Sequence, residues 1–252
     1  MPTSRPMRSR HDKPTRISLS TIRQAVVHCD RCPRLRAYCA RVAGRKKAAH
    51  RDDVYWGRPV PGFGDRRARL LVLGLAPAAH GANRTGRVFT GDGSGDFLMR
   101  AMHQYGFANI PTARHATDGL KLRGAYITAV VRCAPPDNKP TGQEIKNCQP
   151  HLEAELAALP NVHAIIALGR IAYDTYWRVM RGLSICPSPR PAFKHGLVFT
   201  PDRGPALIAS YHPSRQNTNT GRLTAPMLAC IFKTASQLIT SAAITKHGRA
   251  TC

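Results

Sequence analysis

Four short apolar runs punctuate the chain: Leu70-Leu71-Val72-Leu73, Ala125 to Val131 (AYITAVV), His163 to Leu168 (HAIIAL) and Ala206 to Tyr211 (ALIASY). They are continuous rather than alternating, as strands buried on both faces are. Between them, apolar residues recur at helical spacing. Phe97, Leu98, Ala101, Met102 and Tyr105 form one set, and Ile145, Cys148, Leu152, Leu156 and Leu159 another. Further helices are expected over Ile171 to Met180 and from Leu223 to about Ile239. Strands alternating with helices predict an α/β fold, a three-layer sandwich around a central, mostly parallel four-stranded sheet.

Local signals set the boundaries. Ser18 or Ser20 caps a short helix through Ile22, Ala25 and Val26, and an Arg- and Lys-rich helix follows from Leu35 to about Ala49. Pro59 to Asp65 (PVPGFGD) reads as a turn-rich linker, and Gly106 to Gly124 has no clear pattern. Ser94 reads as the N-cap of the helix carrying Phe97. Thr141 and Glu144 make a capping box, and Pro150 is expected to bend the helix they start. Leu197-Val198-Phe199 reads as a short edge piece. Residues 1–16 read as a disordered basic arm, 17–240 as a single domain and 241–252 as a disordered tail.

Polar loops leave three of the strand ends, after Leu73, Val131 and Tyr211. The first is long and dotted with glycines, and it holds His80, Asn83, Arg84, Arg87 and Asp92. In an open parallel sheet ligands bind where strands end, so these three loops are expected to converge on one cleft.

Charge narrows the partner. The 252 residues include 38 Lys plus Arg against 14 Asp plus Glu, a formal charge of +24, which points to a polyanion and above all to nucleic acid. No apolar run is long enough to span a membrane, and the N-terminal MPTSRPMRSRHDKPTR lacks the apolar core of a secretory signal, so a cytoplasmic protein is expected.

Eight cysteines in a reducing compartment suggest metal ligands before disulfides. Cys29 and Cys32 form a Cys-x2-Cys turn, and Cys133 and Cys148 bracket a loop and the start of a helix. Four thiolates suit an iron–sulfur cluster or a zinc ion, and the spacing does not choose between them. Cys39 reads as ordinary packing. Charge and cysteines also fit a non-catalytic nucleic-acid-binding protein with a structural metal, which three polar strand-end loops fit less well. A nucleotide-binding enzyme fits worse: there is no Gly-Lys-Ser/Thr ending, and GDGSGD places two carboxylates where phosphate would sit.

Three segments, GLAPAAHGANRTGRVFTGDGSGDFL, TAVVRCAPPDNKPT and YHPSRQNTNTGRLT, stand in order at the expected strand ends. Together they resemble family 5, or type B, of the uracil-DNA glycosylase superfamily, over roughly residues 20 to 240. The resemblance implies a monomeric DNA repair enzyme that flips a damaged base out of double-stranded DNA and hydrolyses its N-glycosidic bond. The implied substrates are uracil, hypoxanthine, ethenocytosine and hydroxymethyluracil. It further implies a [4Fe–4S] cluster on Cys29, Cys32, Cys133 and Cys148, favouring iron over zinc.

Residue by residue, Phe89 resembles the aromatic on which the family stacks the flipped base. Backbone amides of the loop from Gly74 are suited to its edge, and His80 to base or phosphate. His212 is the best donor to the departing base oxygen, neutral or charged. Ser214, Arg215, Gln216 and Asn217 are suited to the minor groove and phosphates, with Pro213 stiffening their loop. Asn83 and Asn138 match positions proposed to hold the water. Most of the superfamily has a carboxylate or amide where this chain has Ala76, which can accept no proton; a largely dissociative path is therefore expected. Asp92 and Asp96 are other conceivable bases, Asp96 being better suited to favouring the start of its helix. Thr128 is followed by Ala129 where narrower relatives have an Asn that reads uracil, and losing that filter relaxes selectivity.

Overall fold

The computed structural model describes residues 17–185 and 190–247. Helices Leu19–Val27 (α1) and Pro33–Arg45 (α2) come first, then the two-residue strand Phe63–Gly64 (β1) and strand Leu70–Gly74 (β2). A single-turn helix Ala82–Thr85 (α3) and helix Gly93–Gln104 (α4) precede strand Ala125–Ala129 (β3) and helix Gly142–Ala158 (α5). Strand Ala164–Leu168 (β4), helix Arg170–Gly182 (α6) and strands Val198–Phe199 (β5) and Ala206–Ser210 (β6) follow. Helices Arg215–Asn219 (α7) and Ala225–His247 (α8) complete the order.

The sheet runs β1-β3-β2-β4-β6-β5. The four central strands are parallel, and every residue in them is buried, which accounts for their unbroken apolar pattern. Side chains alternate between two cores. Leu70, Val72, Ile127 and Ile166 pack with Leu98, Met102, Leu228 and Phe232 of α4 and α8. Leu71, Leu73, Ile165 and Leu207 pack with Leu152, Tyr173 and Trp177 of α5 and α6. The expected three layers are present. Because β2 has β3 on one side and β4 on the other, the winding reverses at β2 and leaves a crevice beyond the strand ends.

Several boundaries differ from expectation. The four strands gain two antiparallel edges. The edge piece near Leu197 is β5, whereas β1 lies inside the presumed linker and pairs Phe63 with Ile127. Asp92, not Ser94, caps α4, accepting the Gly95 N–H at 3.0 Å. Ser18 caps α1, and the Thr141–Glu144 capping box is complete. Helix α2 begins on Pro33, a favoured first position, and stops at Lys46, which adopts a φ of 52°. Helix α5 continues through Pro150, which faces solvent. Helix α8 reaches His247, so the presumed tail is helical at its start. The basic arm and residues 248–252 lie outside the described residues. Among the described residues no helix is long and apolar enough to cross a membrane.

Candidate active site

The loop from β2 to α4 is built around Phe89. Its φ of 49° is uncommon for a bulky residue and costs on the order of 1–3 kcal/mol unless the surroundings enforce it. Two glycines make room. A Cβ on Gly74 would stand 2.6 Å from the Phe89 ring, and one on Gly95 would collide with the Phe89 carbonyl oxygen. Two arginines tie the rest of the loop. Arg84 donates to the carbonyls of His80 and Gly91 and pairs with Asp53 at 2.7 Å. Arg87 bonds Thr90 and the Ala116 carbonyl and pairs with Asp118 at 2.7 Å. Both guanidinium groups are thus engaged within the protein, each tying the loop to an aspartate outside it.

The loop after β6 brings His212 to this ring. The two rings stack with centroids 5.7 Å apart and planes at 29°. His212 keeps a partly exposed edge, but protein packs around the ring and burial pushes its pKa down to about 4. The imidazole is therefore neutral at pH 7. Its backbone is fixed locally: Asn217 Nδ2 donates to the His212 carbonyl at 2.8 Å, and Ser214 caps α7. Ser214 and Asn217 shape the loop, whereas Arg215 and Gln216 face solvent. Arg215 also reaches the start of α4, close to Gly93. Burial raises the pKa of Asp92 there, offset in part by the backbone N–H groups of Gly95 and Ser94 and less by Arg215.

A cleft of about 310 Å³ opens beside His212, with Leu75, Gly169, Arg170, Tyr211 and Arg222 among its lining. These residues follow β2, β4 and β6. The turn after β4 is a contributor that was not expected, and neither Phe89 nor the loop after β3 is part of this lining. Gly169, with a φ of 94°, lets that turn pass His212; a Cβ there would lie 3.4 Å from the His212 Cβ. The available signal was a glycine closing the third apolar run, as Gly74 closes the first. Arg222 stacks over Tyr211 at 4.7 Å, and His195 stacks on it at 5.1 Å.

The other predicted residues are distributed around this centre. Asn138 stands on the exposed loop after β3, where Asp137 and Asn138 both have left-handed backbones, φ 52° and 57°. It does not line the cleft. Asn83 is fully buried: its Nδ2 faces the carbonyls of Cys39 and Ala79, both at 3.4 Å, and its Oδ1 has no partner. His80 Nδ1 meets the Tyr55 hydroxyl at 3.0 Å, and burial, then Lys47 and His50, lower its pKa. Ala76 is half-buried against the α5–α6 core. Asp96 sits in the first turn of α4 and accepts the Ala113 N–H at 3.2 Å.

Cys29, Cys32, Cys133 and Cys148 line one enclosure between α1, α2, α5 and the loop after β3. Burial raises the Cys148 thiol to about 11 and raises Cys32 as well. The Cys133 thiol is raised by a hydrogen bond with Cys39 and by burial. Cys39 itself is buried and accepts the Ala134 N–H at 3.2 Å. Around the rim, Arg34 grips Glu144 through two 2.8 Å bonds, and Asn147 Nδ2 donates to the Arg31 carbonyl at 3.2 Å. Among the described residues no three His, Cys, Asp or Glu side chains converge as a single metal ion requires.

Comparison with known proteins agrees with this architecture. The family model described as the uracil DNA glycosylase superfamily matches residues 61–235, more than half of the chain. The chain belongs to that superfamily. Within it, the chain is similar to type-5 members over most of its length and to type-4 members over less of it. The chain is 49% identical over 222 residues to a type-5 uracil-DNA glycosylase of Mycobacterium tuberculosis, covering 88% of this chain and 82% of the relative. It is 48% identical over 215 residues to one from Thermus thermophilus, covering 85% and 95%. It is 46% identical over 211 residues to one from Pyrobaculum aerophilum, covering 84% and 89%.

Proposed function

We propose that this chain excises uracil and other deaminated or damaged bases, including hypoxanthine, ethenocytosine and hydroxymethyluracil, from double-stranded DNA by hydrolysing the N-glycosidic bond. The observation that carries the reading is the Phe89–His212 pair at the sheet's switch point, inside a chain of charge +24.

A base in a duplex is out of reach of any fixed side chain and must first swing out, at a cost of a few kcal/mol that is least at a mispair. Arg215 and Gln216, exposed on the His212 loop, are available to the backbone and groove. The Phe89 ring offers a stacking surface worth roughly 1–3 kcal/mol whatever the base, which suits a broad substrate range. The stack holds His212 within a ring's breadth of that surface.

As the glycosidic bond breaks, negative charge gathers on the departing base. A neutral imidazole N–H aimed at a base oxygen stabilises it without the cost of burying a cation. Ala76 offers no proton acceptor, so bond breaking runs ahead of water attack and water has only to be oriented. Asn138 is the exposed amide available for that, whereas Asn83 is fully buried and stands outside the cleft lining.

The four grouped cysteines fit a [4Fe–4S] cluster. The donor set is all thiol and it surrounds a shared space. When bound, the cluster would staple the two N-terminal helices to the loop after β3 and to α5.

Incubation with a duplex carrying one uracil, followed by alkali, tests the reading. Strand breaks at the uracil position are expected, and an uncut strand would instead favour a non-catalytic DNA-binding protein with a structural metal.

A further inference from the structure

One buried charge lies directly against the cysteine enclosure. Arg132 is 1% exposed, immediately precedes Cys133, and lines the same space as the four thiols. Against the larger effect of burial, its positive charge is felt by the Cys148 thiol, whose pKa it lowers. Its guanidinium pairs with Glu155 at 2.7 Å and contacts the Thr128 hydroxyl. Glu155, equally buried, also accepts from Thr128 at 2.6 Å and from the Tyr126 hydroxyl at 3.4 Å. The Nε of Arg132 has no partner.

A buried arginine–glutamate pair is a poor way to gain stability. Desolvation offsets most of its attraction, and apolar side chains of equal volume commonly do as well or better. An unpartnered Nε adds to the cost. Such a pair is best accounted for by something nearby that needs the charge. Four thiolates around an iron–sulfur core of charge +2 leave a dianion, and a dianion in a low-dielectric interior needs a cation close by. The other arginines at the enclosure serve less well. Arg31 is exposed, and Arg36 spends a donor on the Gly57 carbonyl at 3.2 Å. His151, buried on α5, is held neutral, its pKa pushed down to about 4 by burial.

We propose that Arg132 is the buried counter-charge for an anionic iron–sulfur cluster held by Cys29, Cys32, Cys133 and Cys148, and that Glu155 positions it and sets how much of its charge the cluster feels. The inference rests on the cluster reading above. Arg132 touches no DNA in this role; it acts on the cluster through its charge.

The test is the midpoint potential of the cluster in anaerobically purified full-length protein, with iron and acid-labile sulfide measured per chain. Removing a nearby cation makes reduction harder, and exposing one makes it easier. Arg132→Met is expected to lower the potential and Glu155→Gln to raise it, while Arg132→Lys stays near wild type. A purely structural role would not give opposite signs. If Arg132→Met fails to load, the series from Arg132→Lys through wild type to Glu155→Gln still carries the sign. A loaded protein whose potential ignores these changes, or moves the same way in both, overturns the counter-charge role and leaves the cluster reading standing. Loss of loading in all three variants overturns it too, by making the pair merely structural. A wild type without iron or sulfide overturns both.

Discussion

The Phe89 ring stacks on the His212 imidazole at 5.7 Å, joining the loop after β2 to the loop after β6. Neither residue is placed by its neighbours in sequence alone. Phe89 depends on Gly74 beneath it and Gly95 beside it, and His212 on Gly169 and the Asn217 bond.

The first prediction is steric. Gly74→Ala places a methyl 2.6 Å from the Phe89 ring, so the ring must shift. Single-turnover excision should fall by about tenfold or more, since the stacking at stake is roughly 1–3 kcal/mol. The melting temperature should change little if the half-exposed ring gives way. Kinetics and a thermal melt on one preparation check both. Unchanged excision would place the base elsewhere.

A second prediction concerns pH. The His212 pKa is lowered to about 4 from an ordinary value near 6.5. The folded protein therefore binds fewer protons here than the unfolded chain, so the contribution is fully present above about pH 6.5 and lost as pH falls toward 4. Single-turnover rate should show no His212 inflection between about pH 6 and 8. Wild type should be destabilised more than His212→Asn on acidification through this window. An inflection near 6.5 that vanishes in His212→Asn would mean that the imidazole works as a cation.

Asn138 provides a third. It lies on an exposed, left-handed loop, and under the proposed mechanism it orients the water rather than holding the duplex. Asn138→Ala should slow excision while leaving duplex affinity nearly intact. Equal losses in both, by gel shift and single-turnover assay, would count against that role.

The +24 charge provides a fourth. Phosphate contacts release counterions, so log affinity should fall linearly with log salt, by about tenfold or more between 50 and 200 mM. A flat response would mean that the arginines and lysines are only a solvated surface.

The four central strands were legible because each is buried on both faces and its five residues give one unbroken apolar signal. Cys29, Cys32, Cys133 and Cys148 were grouped on one Cys-x2-Cys turn and on the family resemblance, and the fold lines one enclosure with all four. The fate of polar side chains was not legible. Asn83 reads as an active-site amide, yet α2 covers it and its Nδ2 faces the Cys39 carbonyl. Arg84 and Arg87 stood in the sequence only as polar residues of the loop after Leu73, and the fold pairs them with Asp53 and Asp118. These partners are distant in sequence, and only the folded packing reveals them. The turn after β4 escaped notice because Gly169 leads straight into α6, without the long polar loop that marked the other strand ends.

The most direct test of the central claim is a double-substitution cycle on single-turnover excision of uracil from a duplex, using wild type, Phe89→Ala, His212→Ala and the double variant. Both side chains are held to act on one flipped base, so each single change should slow excision and the combined effect should depart from the sum of the two by more than about 0.5 kcal/mol. An inactive wild type, or effects that simply add, would contradict it.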